Sequence, residues 1–286
     1  INTSAHAEGN STTASGLYSH AEGNQTIASG TGSHAEGTGT TASGLASHAE
    51  GTITVASGNS SHAEGSSTTA SGDYSHAEGV STTASGNYGS HAEGGFNYDG
   101  EYVGGLAIGH GSHAEGYGTT ASGNYSHAEG YDNQVCSDFS HAGGFGNLII
   151  SNNSYAEGNE NIIVNSFGSH AQGYGNKIVS GSYNFATGTK NIVSGSNQTV
   201  VGQFNRGFNT ASLFVVGTGL DDGNRLDAFK VDRADPINQP PGFVGGRIYM
   251  PAVLGLDFAD DATAALYGVE IGGIYHTSGV LKIRIT

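Results

Sequence analysis

Residues 33–51 read SHAEGTGTTASGLASHAEG, which is one His segment (Ser-His-Ala-Glu-Gly), one Thr segment (Thr-Thr-Ala-Ser-Gly) and a His segment again. The His segment recurs in steps of 14 residues from His6 to His76, and it continues beyond an insertion as far as His141. Degenerate copies extend the register to Gly217, giving about 15 copies. The residues at the His position are His6, His20, His34, His48, His62, His76, His91, His113, His127, His141, Tyr155, His170, Phe185, Thr199 and Phe214.

Each repeat fits two short strands joined by two tight turns. Five residues is the length of a short strand, and the Gly-Asn and Gly-Asp pairs between the segments are turn signals. No window shows the i, i+3, i+4 spacing of an amphipathic helix. A single coil of this kind cannot bury a face alone, so neighbouring coils must stack. The repeat therefore predicts an all-β chain whose first 217 residues form a parallel β-solenoid of about 15 coils.

Substitutions between copies indicate which positions face inward. The Ala of the His segment is Ala in 13 copies and Val in the last two, so we place it inside the roll. We also place inside it the central Ala of the Thr segment, with its replacements Cys136, Ile150, Val164, Val179 and Val193. The residue before that Ala has the opposite parity and is β-branched, which predicts a second buried face packed against other chains. This row comprises Thr13, Ile27, Thr41, Val55, Thr69, Val135, Ile149, Ile178 and Ile192.

Composition excludes several classes of function. The chain has 9 Lys and Arg against 25 Asp and Glu, a formal charge of −16, which argues against nucleic acid and anionic membranes as partners. One cysteine rules out a disulfide framework and a cysteine-based zinc site. No run of about 18 apolar residues occurs, so we expect no membrane insertion. The chain begins at Ile1 rather than Met, so we expect a fragment or a processed product.

The repeats resemble the YadA-like head repeats of trimeric autotransporter adhesins, whose units contain Ser-x-Ala-x-Gly and Ala-Ile-Gly. The run Leu106-Ala107-Ile108-Gly109 is the most similar to that pattern. The resemblance covers residues 1–217 and implies a left-handed parallel β-roll, an intertwined or side-by-side homotrimer, and a surface-exposed fibre. This chain departs from the family in having Thr and Ser where Val and Ile are usual.

The remaining residues differ from the repeat. We assign 218–250 to a connector and 251–286 to a small C-terminal tip rich in β-structure. Asp260–Leu266 predicts a short helix, and the two apolar runs around Thr277-Ser278-Gly279 predict a hairpin with a three-residue loop. Residues 213–232 and 268–285 resemble segments of phage tail-fibre proteins. An insertion at about 95–105, between His91 and His113, interrupts the repeat.

These features predict a structural fibre of a phage or virus that attaches to a host, located in the virion or at a cell surface. Its expected partners are copies of itself, other virion or tail proteins, and a host glycan or protein. The alternatives are a bacterial trimeric adhesin or extracellular filament, and an ice- or metal-binding solenoid. Aromatic and polar side chains on the insertion and the tip are the candidates for receptor binding: Phe96, Tyr98, Asp99, Glu101, Tyr102, Tyr267, Tyr275 and His276.

The His and Glu columns have two interpretations. We expect a structural ladder of His–Glu hydrogen bonds and stacked imidazoles, with no cofactor and no enzymatic activity, because a row of near-identical pairs lacks one distinctive catalytic constellation. The alternative is a metal-binding ladder, since His and Glu both ligate metals. Its first members are His20, Glu22, His34, Glu36, His48 and Glu50.

Overall fold

The computed structural model describes residues 4–95, 103–207, 210–233, 247–249, 274–277 and 280–283. The chain divides into two compact units, Ile1–Gly175 and Asn176–Thr286, which we call unit 1 and unit 2. All regular structure in the described ranges is β-strand, and none of these residues forms a helix long and apolar enough to cross a membrane. The chain is a parallel β-solenoid of about 15 coils with repeats of about 14 residues, as the sequence predicts.

The strands of unit 1 alternate between His-segment and Thr-segment strands, with one extra turn strand, β23. In chain order they are β1 (His6–Asn10), β2 (Thr13–Ala14), β3 (His20–Asn24), β4 (Ile27–Ala28), β5 (His34–Thr38), β6 (Thr41–Ala42), β7 (His48–Ala49), β8 (Val55–Ala56), β9 (His62–Ala63), β10 (Thr69–Ala70), β11 (His76–Ala77), β12 (Thr83–Ala84), β13 (His91–Gly94), β14 (Leu106–Ala107), β15 (His113–Tyr117), β16 (Thr120–Ala121), β17 (His127–Tyr131), β18 (Gln134–Val135), β19 (His141–Phe145), β20 (Leu148–Ile149), β21 (Tyr155–Asn159), β22 (Ile162–Ile163), β23 (Ser166–Phe167) and β24 (His170–Tyr174).

Unit 2 begins with parallel coils and ends in antiparallel pairs. Strand β29 pairs in parallel with β27 and β30, and β31 then runs antiparallel to β30 and β32. The last two strands form a hairpin in which Thr277 pairs with Val280, so Thr277 lies on a strand and not in the loop where it was predicted. The strands are β25 (Lys177–Ile178), β26 (Gly181–Ser182), β27 (Phe185–Thr189), β28 (Ile192–Val193), β29 (Thr199–Gln203), β30 (Ser212–Thr218), β31 (Asp227–Asp232), β32 (Arg247–Tyr249), β33 (Ile274–Thr277) and β34 (Val280–Ile283).

Coils of unit 1 stack with each residue above the equivalent residue of the neighbouring coil. His20 pairs with His34, and the same register carries His76 onto His91 and His91 onto His113 although those steps are 15 and 22 residues. The additional residues therefore lie in turns, where added length costs little, and the strands keep their register. The result is a set of uninterrupted columns of like side chains.

The interior of the roll is thin because it is filled by small side chains. The Ala column of the His segment is fully buried from Ala21 to Ala186, and Val200 and Val215 extend it, as predicted. A Ser column before each His is also buried, and its hydroxyls donate to glycine carbonyls, as from Ser19 to Gly16. Glycines allow coils to approach closely: a Cβ on Gly30 would collide with the carbonyl oxygen of Gly44 in the next coil.

The predicted inward row of the Thr segment is wrong by one residue in several copies. Val135 pairs with Ala121, and Ile149 pairs with Val135, so these side chains lie inside the roll. Cys136 and Ile150 point outward instead, and Ile150 is 53% exposed. A shift of one residue moves a side chain to the opposite face of a strand. Val135, Ile149 and the equivalent Ile163, Ile178 and Val193 therefore form the core of the later coils.

An outward row of opposite parity does exist, although its members differ from those predicted. Val135, Ile149 and Ile178 were predicted in this row but lie in the interior. The row, which we call the outer row, is partly apolar and lies at the surface of this single chain. Its main members in unit 1 are Thr13, Ile27, Thr41, Val55, Thr69, Thr83, Leu106, Thr120, Gln134, Leu148 and Ile162.

Candidate functional site

The most regular surface feature is a double column that we call the His–Glu ladder. Each His begins a strand, and the Glu two residues later points to the same side because side chains alternate across a strand. The Ala between them faces the interior and fixes the orientation of both. The ladder comprises His20, Glu22, His34, Glu36, His48, Glu50, His62, Glu64, His76, Glu78, His91, Glu93, His113, Glu115, His127, Glu129 and His141.

The imidazoles stack face to face along the ladder. From His20 to His127 the centroids of consecutive rings are 4.7–4.9 Å apart and the ring planes differ by 1–6°. This distance is the spacing between paired strands, so the backbone register sets the ring spacing. The stack loosens at its ends, where His6 is tilted by 33° from His20 and His141 by 56° from His127.

The carboxylates connect adjacent coils. The Nε2 atom of His62 lies 3.1 Å from Oε1 of Glu50 in the preceding coil, and the corresponding separation is 3.2 Å for His76 and Glu64. The same pairing spans the two longer steps of the repeat. The separation is 3.2 Å between His91 and Glu78 and 3.4 Å between His113 and Glu93. Two further pairs belong to the series, His48 with Glu36 and His141 with Glu129, and each separation is 3.4 Å. The pairs are about one-third exposed, so solvent weakens but does not abolish the attraction.

Two histidines of the ladder, His34 and His127, are biased toward the neutral imidazole. Burial lowers the pKa of His34 and His127 below the ordinary value, and neighbouring imidazoles lower it further. Charging one ring makes it harder to charge the ring stacked above it. Burial pushes the pKa of Glu78 upward, but hydrogen bonds to Glu93 and His91 outweigh it and lower that pKa.

The ladder changes character after His141. Gly143 replaces the Glu, Tyr155 takes the His position, and its ring is tilted by 42° from that of His141. The Tyr155 hydroxyl donates to Glu157 at 3.1 Å, while burial raises the pKa of the phenol. His170 meets Tyr155 edge to face, and burial lowers the pKa of His170. The regular His–Glu arrangement is therefore confined to the first ten coils.

Sequence reasoning missed a buried amide ladder. Asn133, Asn147 and Asn161 occupy the first position of the Thr segment, which is Thr in earlier coils such as Thr68. Asn147 and Asn161 each donate to the side-chain oxygen of the Asn one coil earlier. All three amides also donate to backbone carbonyls in their own coil and in the next. The sequence feature that could have revealed this ladder is the change from Thr to Asn at a fixed distance from the His position. An amide needs several partners when buried, and here neighbouring amides and backbone carbonyls supply them.

A second polar column lies on a turn. Side-chain oxygens of Asn and Asp accept hydrogen bonds from backbone N–H groups one coil earlier. The N–H of Leu45 donates to Asn59, and the N–H of Asn59 donates to Asp73. The next turn position has positive φ and carries Tyr18, Tyr74 and others, which are more than half exposed. These side chains cover no core, so they are available to other molecules.

The predicted receptor-binding residues are not brought together by the part of the chain that the structure describes. Phe96, Tyr98, Asp99, Glu101, Tyr102 and Tyr267 lie outside the described residues, as does the predicted helix Asp260–Leu266. Tyr275 and His276 lie on β33, paired with Lys282 and Leu281 of β34. The binding role of all eight residues stays a prediction.

The comparisons add no functional assignment. None of the protein-family models matches this chain, and neither does any curated protein with which it was compared. The function therefore has to be argued from the solenoid, its charge and its surface columns.

Proposed function

We propose that the chain is one protomer of a trimeric attachment fibre of a phage or virus, built on a YadA-like roll. The solenoid is a rigid spacer in this function, and the segments that bind the host project from it. A bacterial adhesin or extracellular filament would use the same architecture and is the second candidate. The fibre-like segments at 213–232 and 268–285 favour the viral form.

The observation that carries the proposal is the outer row. Aliphatic side chains recur along it at the surface of a single chain, with Ile27 42% exposed and Val55, Leu106, Leu148 and Ile162 half-buried. Aliphatic side chains that recur along one exposed face of a chain, here separated by Thr and Gln, are typical of a protein–protein interface. Packing three copies about an axis would remove the stripe from water.

The rim of this stripe has the chemistry of an interface. Leu148 and Ile162 line a shallow cavity of about 330 Å³ together with Asp132, Gln134 and Glu160. An apolar centre bordered by polar groups is the usual composition of a protein–protein contact. The acidic surface, −16 per chain, favours dispersal of fibres in solution and does not favour binding to nucleic acid.

Ice binding is less well supported. A flat ice-binding face requires an uninterrupted array of Thr, but the outer row places Ile27 between Thr13 and Thr41 and Val55 between Thr41 and Thr69. Half-burial of Thr41 and Thr69 also limits the contact that such a face could make.

Light scattering tests the assembly. We expect a mass near three times 28.9 kDa, and we expect I162K, in the outer row, to dissociate the assembly. The matched control is I53K, because Ile53 lies in a turn and is 61% exposed. A monomeric wild-type chain at micromolar concentration would overturn the trimer, as would dissociation by both variants to the same extent.

Attachment is tested with a variant that leaves the solenoid unchanged. F96A/Y98A/Y102A removes the aromatic side chains of the insertion, and binding to a glycan array or to host cells is measured with Y74A as the control on an exposed turn. Loss of binding with the insertion variant alone would support attachment through the insertion. Unchanged binding would assign attachment elsewhere in the chain, and a wild-type protein that binds no surface would contradict the attachment function.

A further inference from the structure

We infer that the His–Glu ladder is a row of binding sites for a divalent transition metal, with Zn²⁺ as the ion that its ligands suit best. Groups of two His and one Glu recur along it with their ligand atoms within 4.8 Å of one another. These groups, which we call triads, are His34–Glu36–His48, His48–Glu50–His62, His62–Glu64–His76, His76–Glu78–His91 and His113–Glu115–His127. Imidazole nitrogen and carboxylate oxygen are the ligands that Zn²⁺ takes at about 2.0–2.2 Å.

The spacing between carboxylate and imidazole already fits a metal. Two bonds of about 2.1 Å at a tetrahedral angle place their donor atoms roughly 3.4 Å apart. The Nε2 of His48 lies 3.4 Å from Oε1 of Glu36, and that of His62 lies 3.1 Å from Oε1 of Glu50. Between His62 and Glu50 the ion would replace the hydrogen-bonded proton. The second imidazole of a triad is centred 4.8 Å away along the stack and is parallel to the first, so its ring must rotate out of the stack to bind the same ion.

Unsatisfied nitrogen atoms are the independent sign of a ligand. The Nε2 atoms of His20, His34 and His127 are buried, and each lacks a hydrogen-bond partner. A buried polar atom without a partner is destabilising, so a native structure that repeats the arrangement calls for an explanation. A bound metal would satisfy these atoms.

Charge and access both favour a cation. Glu8, Glu22 and Glu36 line an open groove of about 460 Å³ at the first coils, so an ion reaches the carboxylates directly from solvent. The net charge of −16 attracts dications to the chain.

Occupancy is expected at alternate coils. Adjacent triads share a His, and two dications one coil apart would repel each other strongly. Three of the triads share no residue: His34–Glu36–His48, His62–Glu64–His76 and His113–Glu115–His127. We therefore expect saturation near three ions per chain.

Equilibrium dialysis of the untagged, metal-stripped chain against Zn²⁺ tests the site. The ladder variant E36Q/E50Q/E64Q/E78Q keeps the hydrogen-bonding shape but removes the carboxylate from every triad between His34 and His91. The control D73N/D132N/D138N/E160Q removes the same four charges from turns away from the ladder. We expect the ladder variant to lose two of the three ions and the control to lose none. Equal losses in both variants, or no zinc bound by the wild type, would overturn the inference.

A measurement on the wild type keeps the test decisive if the ladder variant does not fold. The ¹⁵N resonances of the imidazole Nε2 atoms are followed while Zn²⁺ is added. We expect the resonances of His34 to His91 to shift together and that of His110, which accepts a hydrogen bond at a turn, to stay unchanged. A shift of His110 equal to that of the ladder, or no shift at all, would contradict metal binding by the ladder.

Discussion

Asn161 donates a hydrogen bond of 3.0 Å from its side-chain amide to the side-chain oxygen of Asn147, one coil earlier in the solenoid. Asn147 makes the same bond to Asn133 at 2.9 Å, and its amide also reaches the carbonyl oxygens of Gly143 and Gly158. All three Asn side chains are buried. The amide column thus binds three coils together inside the roll, where water cannot replace a lost partner.

Removing the middle amide should therefore destabilise the solenoid. We expect N147A to lower the free energy of unfolding by about 3 kcal/mol, because it leaves several buried groups without partners. The control N159A alters an exposed Asn at a strand end and should change stability by less than about 0.5 kcal/mol. Urea unfolding followed by circular dichroism measures both. Equal effects of the two variants would show that the amide column does not stabilise the fold.

Acid should weaken the metal-free protein at mildly low pH. The pKa values of His34, His127 and His170 are lowered, first by burial, from an ordinary value of 6.5. Between the folded and unfolded pKa values the unfolded chain binds more protons, so stability rises with pH in that window. The contribution of these residues is complete above pH 6.5 and is lost as the pH falls through their folded pKa values.

Melting temperatures between pH 7.5 and 5, measured with EDTA present, check this dependence. We expect a fall over that range, and a smaller fall in H34Q/H127Q/H170Q, which has nothing to protonate at those positions. The control H110Q changes a turn histidine outside the stack and should melt with the wild-type pH dependence. A melting temperature that is constant or rises toward pH 5 would contradict the prediction.

Close approach of neighbouring coils should make one glycine position intolerant of any side chain. In G30A the new Cβ meets the backbone of Gly44, so coils must separate, and we expect a loss of about 3 kcal/mol or more. G32A is the control, because its Cβ enters open space and Ala46 already occupies the equivalent position with positive φ in the next coil. Its cost should be only about 1–2 kcal/mol, from backbone strain. Thermal unfolding of the two variants separates the effects, and equal costs would contradict the packing.

The assignment of faces in the later coils can be tested with two isoleucines. Ile163 is fully buried and Ile150 is 53% exposed. We expect I163A to cost about 2–5 kcal/mol from lost burial and the cavity left behind, and I150A to cost less than about 0.5 kcal/mol. Chemical denaturation of both variants is the measurement. A larger loss of stability in I150A than in I163A would mean that the inward and outward faces are assigned the wrong way round.

The period of the sequence was enough to predict the solenoid, but residue identity misled the prediction of its faces. In the coil of His127, Val135 and Cys136 were both apolar enough to be taken for the inward residue. Pairing of Val135 with Ala121 decides between them. Counting eight residues from the His position would have given the same answer, since Ala121 follows His113 by eight and Val135 follows His127 by eight.

By itself the sequence determined the coil: a 14-residue period with turns rich in glycine, a small residue after each His, and a column of Glu beside a column of His. These are local or periodic properties, and they follow from chain geometry alone. Only the tertiary structure decided that the imidazoles stack in parallel, that six of the Glu residues pair with the His of the following coil, as Glu50 does with His62, and that buried amides form a column. Those relations join residues about 12–15 positions apart, and stacking at one strand spacing sets their distances.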